Sequence, residues 1–142
     1  MPMERNKAVI RRYFDDIING GNPASAAELF APDYTLYFAG NPPIGVAELA
    51  GFAGAMRGAF PDFRDEVEDI FAEEDRVAAR GVSRGTHQGE FMGIPASGKD
   101  VVVNWISLFR LTPEGRIQEA RVAFDQFSLL QQIGAIPAAA PA

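Results

Sequence analysis

The chain contains no cysteine, which excludes disulfides, thiolate metal sites and a cysteine nucleophile. Its single histidine, His87, is too little for a histidine-based metal cluster. Basic residues are scarce as well. Thirteen Lys and Arg face nineteen Asp and Glu, and the net charge of −6 argues against a surface that tracks nucleic-acid phosphates. No apolar run reaches the roughly 18 residues that a membrane-spanning helix needs. The N-terminal residues Met1 to Lys7 carry no apolar core or small-residue cleavage site of a secretory signal. These absences lead to the expectation of a soluble, cytoplasmic protein that binds neither nucleic acid nor membrane and uses no metal or cofactor.

What is present suits a packed domain: 47% hydrophobic and 11% aromatic residues against 23% charged. A chain of 142 residues buries roughly two-thirds of its surface around one core. One domain is expected over residues 1–134, followed by an Ala/Pro tail, 135–142, too simple to pack.

Val9, Ile10, Tyr13, Phe14, Ile17 and Ile18 recur at helical spacing, and Gly20-Gly21 stands where a C-terminal cap needs positive φ. Asn22-Pro23 reads as an N-cap with proline at the first helical position, opening a short helix through Phe30. Tyr34 to Ala39 reads as a strand. Leu49, Phe52, Ala53, Met56 and Phe60 mark a third helix. From Phe63 the period becomes two, giving strands over 63–71, 76–86, 99–111 and 116–127. A last helical turn is expected over 128–133, ending at Gly134. The absence of crossover helices between the last four strands favours antiparallel pairing. The fold class is therefore α+β, with helices covering one face of a curved sheet.

Pairing Leu111 with Arg116 in the last hairpin puts Val102, Asn104, Ile106, Leu108, Arg121, Ala123 and Asp125 on one sheet face. Val103, Trp105, Ser107, Phe109, Val122 and Phe124 share the other. The first face, with polar groups set among apolar ones, is expected to line a pocket. Asp125, between Phe124 and Phe127, is then the candidate acid/base, because apolar walls raise a carboxyl pKa toward the range useful for proton transfer. Arg121 and Asn104 are candidates to hold a substrate oxygen. The alternative is that Arg121 and Asp125 are rim charges or partners in a structural ion pair. The Trp105 face needs a cover, and a second subunit supplies it if the helices lie opposite, so a homodimer is expected.

Other features carry less. The run Asp65-Glu66-Val67-Glu68-Asp69 fits a strand with a solvated face. Ala79, Gly81, Ser83 and Gly85 leave a trough of small residues on one strand face, for which packing is the expected filler. Gly81-Val82-Ser83-Arg84-Gly85 has the letters of a nucleophile elbow, but it lies inside a strand with no helix after it, which disfavours a serine hydrolase. No GxGxxG or phosphate-binding loop pattern occurs. His87, beside glycines, suits either proton transfer or a strand-end hydrogen bond. Tyr13 belongs to its helix's apolar stripe, whatever its hydroxyl does.

Several stretches resemble the SnoaL-like polyketide cyclase family: Asn19-Gly20-Gly21-Asn22, Glu28 to Tyr34, Ala59-Phe60-Pro61-Asp62-Phe63, Arg84 to Pro95, and Asp125 to Gly134. They occur in order over nearly the whole chain. The resemblance implies the cone-shaped nuclear transport factor 2-like (cystatin-like) fold. It further implies cofactor-free intramolecular aldol condensation of a hydrophobic polyketide ester, with a pocket aspartate moving the proton. It places that role on Asp125 and adds His87 as a catalytic candidate and Tyr13 as a substrate contact. Arg121 joins the catalytic candidates and Asn104 the substrate contacts from the sheet-face pairing, and Tyr37, Phe52, Met56 and Ile106 complete the expected substrate contacts. Arg121 with Asp125 also resembles limonene-epoxide-hydrolase-like members of the same fold, although no second pocket aspartate is found. A pocket that only binds an apolar ligand is the non-catalytic alternative.

Overall fold

A computed structural model describes residues 2–20 and 26–137. The chain opens with helix α1 (Pro2–Arg12), which runs without interruption into a π-helical segment, Tyr13–Asn19. A single turn, α2 (Ala26–Leu29), leads into β1 (Phe30–Phe38), and α3 (Val46–Ala59) follows. Strands β2 (Arg64–Glu73), β3 (Arg76–Thr86), β4 (Asp100–Leu111) and β5 (Ile117–Phe124) come next, and α4 (Gln126–Gln132) ends the ordered elements. No helix among the described residues is long and apolar enough to cross a membrane.

The five strands form one mixed sheet in the order β1-β5-β4-β3-β2. β2 to β5 pair antiparallel, as expected of strands joined without crossovers, while β1 pairs parallel with β5. β1 starts at Phe30, earlier than the expected Tyr34, and so takes in Pro32. The proline falls in the irregular stretch between Phe30 and Thr35, on an edge strand where no ladder donor is required.

Alternation decides which face is covered. Along β4, Val101, Val103, Trp105, Ser107, Phe109 and Leu111 are buried, and the residues between them are exposed or half-buried. The helices pack on this buried face: Ile10, Tyr13, Phe14 and Ile17 from the N-terminal helix join Trp105, Phe109, Leu36 and Ala120 in the main core. A second cluster at one end gathers Phe60, Val101, Val103, Leu129 and Ile133. The expected faces are therefore grouped correctly but reversed in direction. The Trp105 face is covered by the protein's own helices rather than by a second subunit, because it is the more apolar of the two and so gains more from burial.

The hairpin register also differs from the expected one. Ile106 lies opposite Ala123 and Leu108 opposite Arg121, with an irregularity between Arg110 and Leu111 where the ladder resumes at Ile117. An offset of two residues leaves the faces unmixed. Gly20 has φ −82°, so it does not provide the expected left-handed cap, and Gly21 lies outside the described residues, as does the expected Asn22-Pro23 N-cap. A Cβ on Gly20 would stand 2.7 Å from the Asp16 carbonyl oxygen, so glycine serves close approach here. At the other end, Gly134 takes φ +84° after α4, as expected. Ala135 and Ile136 of the expected tail donate backbone hydrogen bonds to Leu130, and 138–142 lie outside the described residues.

Candidate active site

Between the helices and the buried sheet face lies a cavity walled by Tyr13, Phe14, Ile17 and Ile18 of the π-helical segment, Leu49, Phe52, Ala53, Met56 and Arg57 of α3, and the inward residues of all five strands. Its empty space, open mouth included, is about 750 Å³, of which about 80 Å³ can be visited by the centre of a water molecule. The lining suits a small apolar ligand held by a few polar groups. The polar side chains among the lining residues are those of Arg57, Asp65, Ser83 and Ser107, and Tyr13 and Trp105 contribute amphipathic rings to the wall.

The π-helical segment presents Tyr13, Phe14, Ile17 and Ile18 as two adjacent pairs, one turn apart. Such segments recur at functional sites because they redirect side chains without breaking the helix. Tyr13 is packed edge-on by Phe14, Phe30 and Phe109, so its ring is core, as expected, and its position on the wall is fixed. Burial, reinforced by the charge of Asp65, raises the Tyr13 phenol far above its ordinary range, leaving it a neutral hydrogen-bonding group.

Asp65 is the ionisable acid of the cavity. Phe63, just before β2, and Asp65 and Val67 within it point inward while Arg64 and Glu66 point out, and Asp65 stands opposite Ser83 of β3. Ser83 Oγ donates to Asp65 Oδ1 at 2.5 Å. Burial raises the Asp65 carboxyl from 3.8 to about 6, and the Ser83 hydrogen bond opposes part of that rise. The backbone is held by Asn19, whose Oδ1 accepts from Asp65 N at 2.7 Å and whose Nδ2 donates to Asp65 O at 2.9 Å. The end of the π-helical segment thus clamps the strand that carries the acid. Arg57 reaches across from α3 and donates to the Ile18 carbonyl, tying the two helical walls together.

The sequence-expected site residues separate. Tyr13, Phe52 and Met56 line the cavity. Tyr37, Asn104, Ile106, Arg121 and Asp125 lie on the opposite, outward side of the sheet, and this corrects the expectation that their face lines the pocket. Arg121 stacks its guanidinium 4.0 Å from the Tyr37 ring centre and bonds Glu119 at 3.3 and 3.4 Å. Ile106 shares with them a shallow open groove. Asn104 is exposed, and its carbonyl accepts from Asp125 N. Asp125 is exposed too, and its carboxylate caps α4 by accepting from Ser128 N at 3.1 Å. The reason is the reversal of faces: a residue on the Asn104 side cannot reach a cavity on the Trp105 side.

His87 is fully buried, but not in the cavity wall. It packs against Phe60 and accepts at Nδ1 from Ser97 N at 3.1 Å, with Ser97 Oγ at 2.9 Å. It holds the loop after β3 in place, the strand-end role named above. The trough on β3 is filled by packing at its glycines, as expected, since a Cβ on Gly81 would meet Trp105 and one on Gly85 would meet Phe60, while at Ser83 it opens to the cavity. Sequence reasoning passed over Asp65 because it sits in an acidic run. The signal available was the alternation Phe63-Asp65-Val67, which puts one acid among inward apolar residues.

The family model for SnoaL-like polyketide cyclase matches residues 8–133. Among solved structures, a SnoaL-like polyketide cyclase candidate from Jannaschia sp. CCS1 is 27% identical, with 95% of each chain covered and a TM-score of 0.87. AclR from Streptomyces galilaeus, a hydroxylase candidate, is 30% identical over 97% of this chain and 86% of its own, with a TM-score of 0.84. IdmH from Streptomyces antibioticus, a polyketide cyclase candidate, is 30% identical over 91% of this chain and 98% of its own, with a TM-score of 0.81. No curated protein matches the chain.

Proposed function

The chain belongs to the SnoaL-like polyketide cyclase family, and from that premise we propose that it is a cofactor-free acid/base enzyme closing a ring in a hydrophobic carbonyl compound, with Asp65 as the proton-transfer group. The observation that carries this reading is a carboxyl, raised to about 6, in the wall of a mainly apolar cavity.

The chemistry follows from that placement. The Asp65 carboxylate takes a proton from carbon next to a carbonyl, and the C–H electron pair becomes the enolate. The enolate carbon attacks a second carbonyl of the same molecule, forming the ring C–C bond. The resulting alkoxide takes the proton back from Asp65, so no outside reagent is consumed. The apolar walls hold a flexible chain folded with its reacting carbons together, which removes much of the entropic barrier. Ser83 orients the carboxylate. An acid whose pKa lies near the working pH serves in both directions.

Deuterium exchange tests this directly. With 1-tetralone in D2O, the protein is expected to accelerate loss of the α-proton signal by NMR. Asp65→Asn should lower the catalysed rate by about 100-fold or more while the ketone still binds. Equal exchange by wild type and Asp65→Asn removes Asp65 from the chemistry. The geometry does not favour epoxide hydrolysis, since Arg121 and Asp125 lie outside the cavity and Arg121 is bonded to Glu119.

A further inference from the structure

Trp105 is the chain's only tryptophan, and its ring forms part of the cavity wall. It is 3% exposed, yet its indole Nε1–H has no hydrogen-bond partner. Most buried side-chain donors are satisfied, and an orphan costs about 1–3 kcal/mol, so an unpaired donor on a residue that lines the cavity calls for an explanation.

The local packing shows how it came to be there. Gly81 of β3 pairs with Trp105, and a Cβ on Gly81 would stand 2.9 Å from the indole Cζ2. The indole therefore leans from β4 over β3, into the gap left by the missing side chain. Nε1 is two bonds from Cζ2 and is held over the same strand. The next inward residue along β3 is Ser83, the partner of Asp65, roughly 7 Å away by strand rise. Phe14 stacks on the indole face, its ring centre 5.0 Å away and its plane tilted by 21°. That contact covers one face of the indole.

We infer that Trp105 determines specificity in this cavity: its Nε1–H donates to a carbonyl oxygen of the bound molecule, so the ligands are apolar ketones or esters rather than hydrocarbons of the same shape. The inference rests on the reading that the cavity holds a small molecule. A carbonyl bound there lies one residue pair along the sheet from Asp65. The charge that develops on its oxygen as Asp65 takes the α-proton then falls on a donor already in place.

A matched pair of ligands tests it: 1-tetralone and tetralin, which differ in the carbonyl. With one tryptophan, the wild-type protein gives a single indole N–H resonance, which is expected to move downfield and exchange more slowly with water on saturation by the ketone. Tetralin should leave it nearly in place. The ratio of ketone to hydrocarbon affinity, read by displacement of a fluorescent dye, should fall about five- to ten-fold in Trp105→Phe, the worth of one neutral hydrogen bond. A resonance unmoved at saturation, or an unchanged ratio in Trp105→Phe, overturns this inference and leaves the proposed chemistry standing. Binding of neither ligand overturns both. If Trp105→Phe does not fold, the wild-type resonance alone decides.

Discussion

A carboxyl held near 6 in a folded protein, against 3.8 for the free group, binds its proton more tightly in the native chain than in the unfolded one. The stability contributed by Asp65 is therefore fully present below about pH 4 and is lost as pH rises through 6, to an extent of at most about 3 kcal/mol. Asp65→Asn removes the buried charge, so its stability relative to wild type should rise between pH 4 and pH 8, as read from urea midpoints at both values. A difference independent of pH would mean that the carboxyl is not enclosed. If the carboxylate is the base, the wild-type exchange rate should rise with a midpoint near pH 6. Asp125 offers the contrasting case. Its carboxylate caps α4, so Asp125→Ala should cost about 1 kcal/mol, Asp125→Asn should cost little, and neither should slow α-proton exchange. Slowed exchange in a folded Asp125→Asn protein would restore the expected role of that residue. Gly81 shows the strictest steric requirement: its Cβ would stand 1.8 Å from the Glu66 carbonyl oxygen, which is backbone and cannot turn aside. Gly81→Ala should therefore lose at least about 2 kcal/mol in denaturant unfolding.

Among the elements, period and punctuation carried most of the information. The β3 limits match those expected, because Glu74-Asp75 makes a tight turn and Thr86 is followed by a glycine-bearing loop. Helix α3 forms as expected despite three glycines, and the Glu48 carboxylate supports its start by accepting from Gly45 N. Which face of the β4–β5 hairpin turns inward was not legible from alternation alone, because both faces carry apolar residues. Only the stronger burial drive of Trp105 and Phe109 over Ile106 and Leu108 separates them. The site divides the same way: Tyr13, Phe52 and Met56 are legible from helix periodicity, whereas the expected acid, Asp125, belongs to the outward side of the sheet. The π-helical register at Tyr13–Asn19 was also invisible, since Tyr13, Phe14, Ile17 and Ile18 fit an α-helical stripe equally well. Its consequence is testable through Asn19, which exchanges two hydrogen bonds with the Asp65 backbone. Asn19→Ala should leave those groups unpaired, cost about 1–3 kcal/mol, and raise amide hydrogen exchange at Asp65 more than at β4. Uniform exchange along both strands would show that the clamp does not hold the acid.

For the whole molecule, reversing the sheet changes which surface remains open. Ile106 is 60% exposed, Val102 43% and Leu108 39%, all on the outward side of β4, the strand at the centre of the sheet. The charges around them are matched within the subunit: Arg84 with Glu66, Arg80 with Glu68 and Asp69, and Arg121 with Glu119. A second copy related by a two-fold axis would thus meet an apolar stripe with a neutral rim, and each subunit would cover the other's Ile106 and Leu108. With the Trp105 face covered, the homodimer expected from the sequence becomes a prediction for this face. Ile106→Glu would then bury two opposed carboxylates at the centre of the contact, and it should shift wild-type dimer to monomer in sedimentation at micromolar concentration. Since the cavity lies on the other side of the sheet, the same variant should bind 1-tetralone with unchanged affinity. A monomeric wild type would rule out the second copy, and lost ketone binding in a folded Ile106→Glu monomer would show that the cavity depends on the dimer.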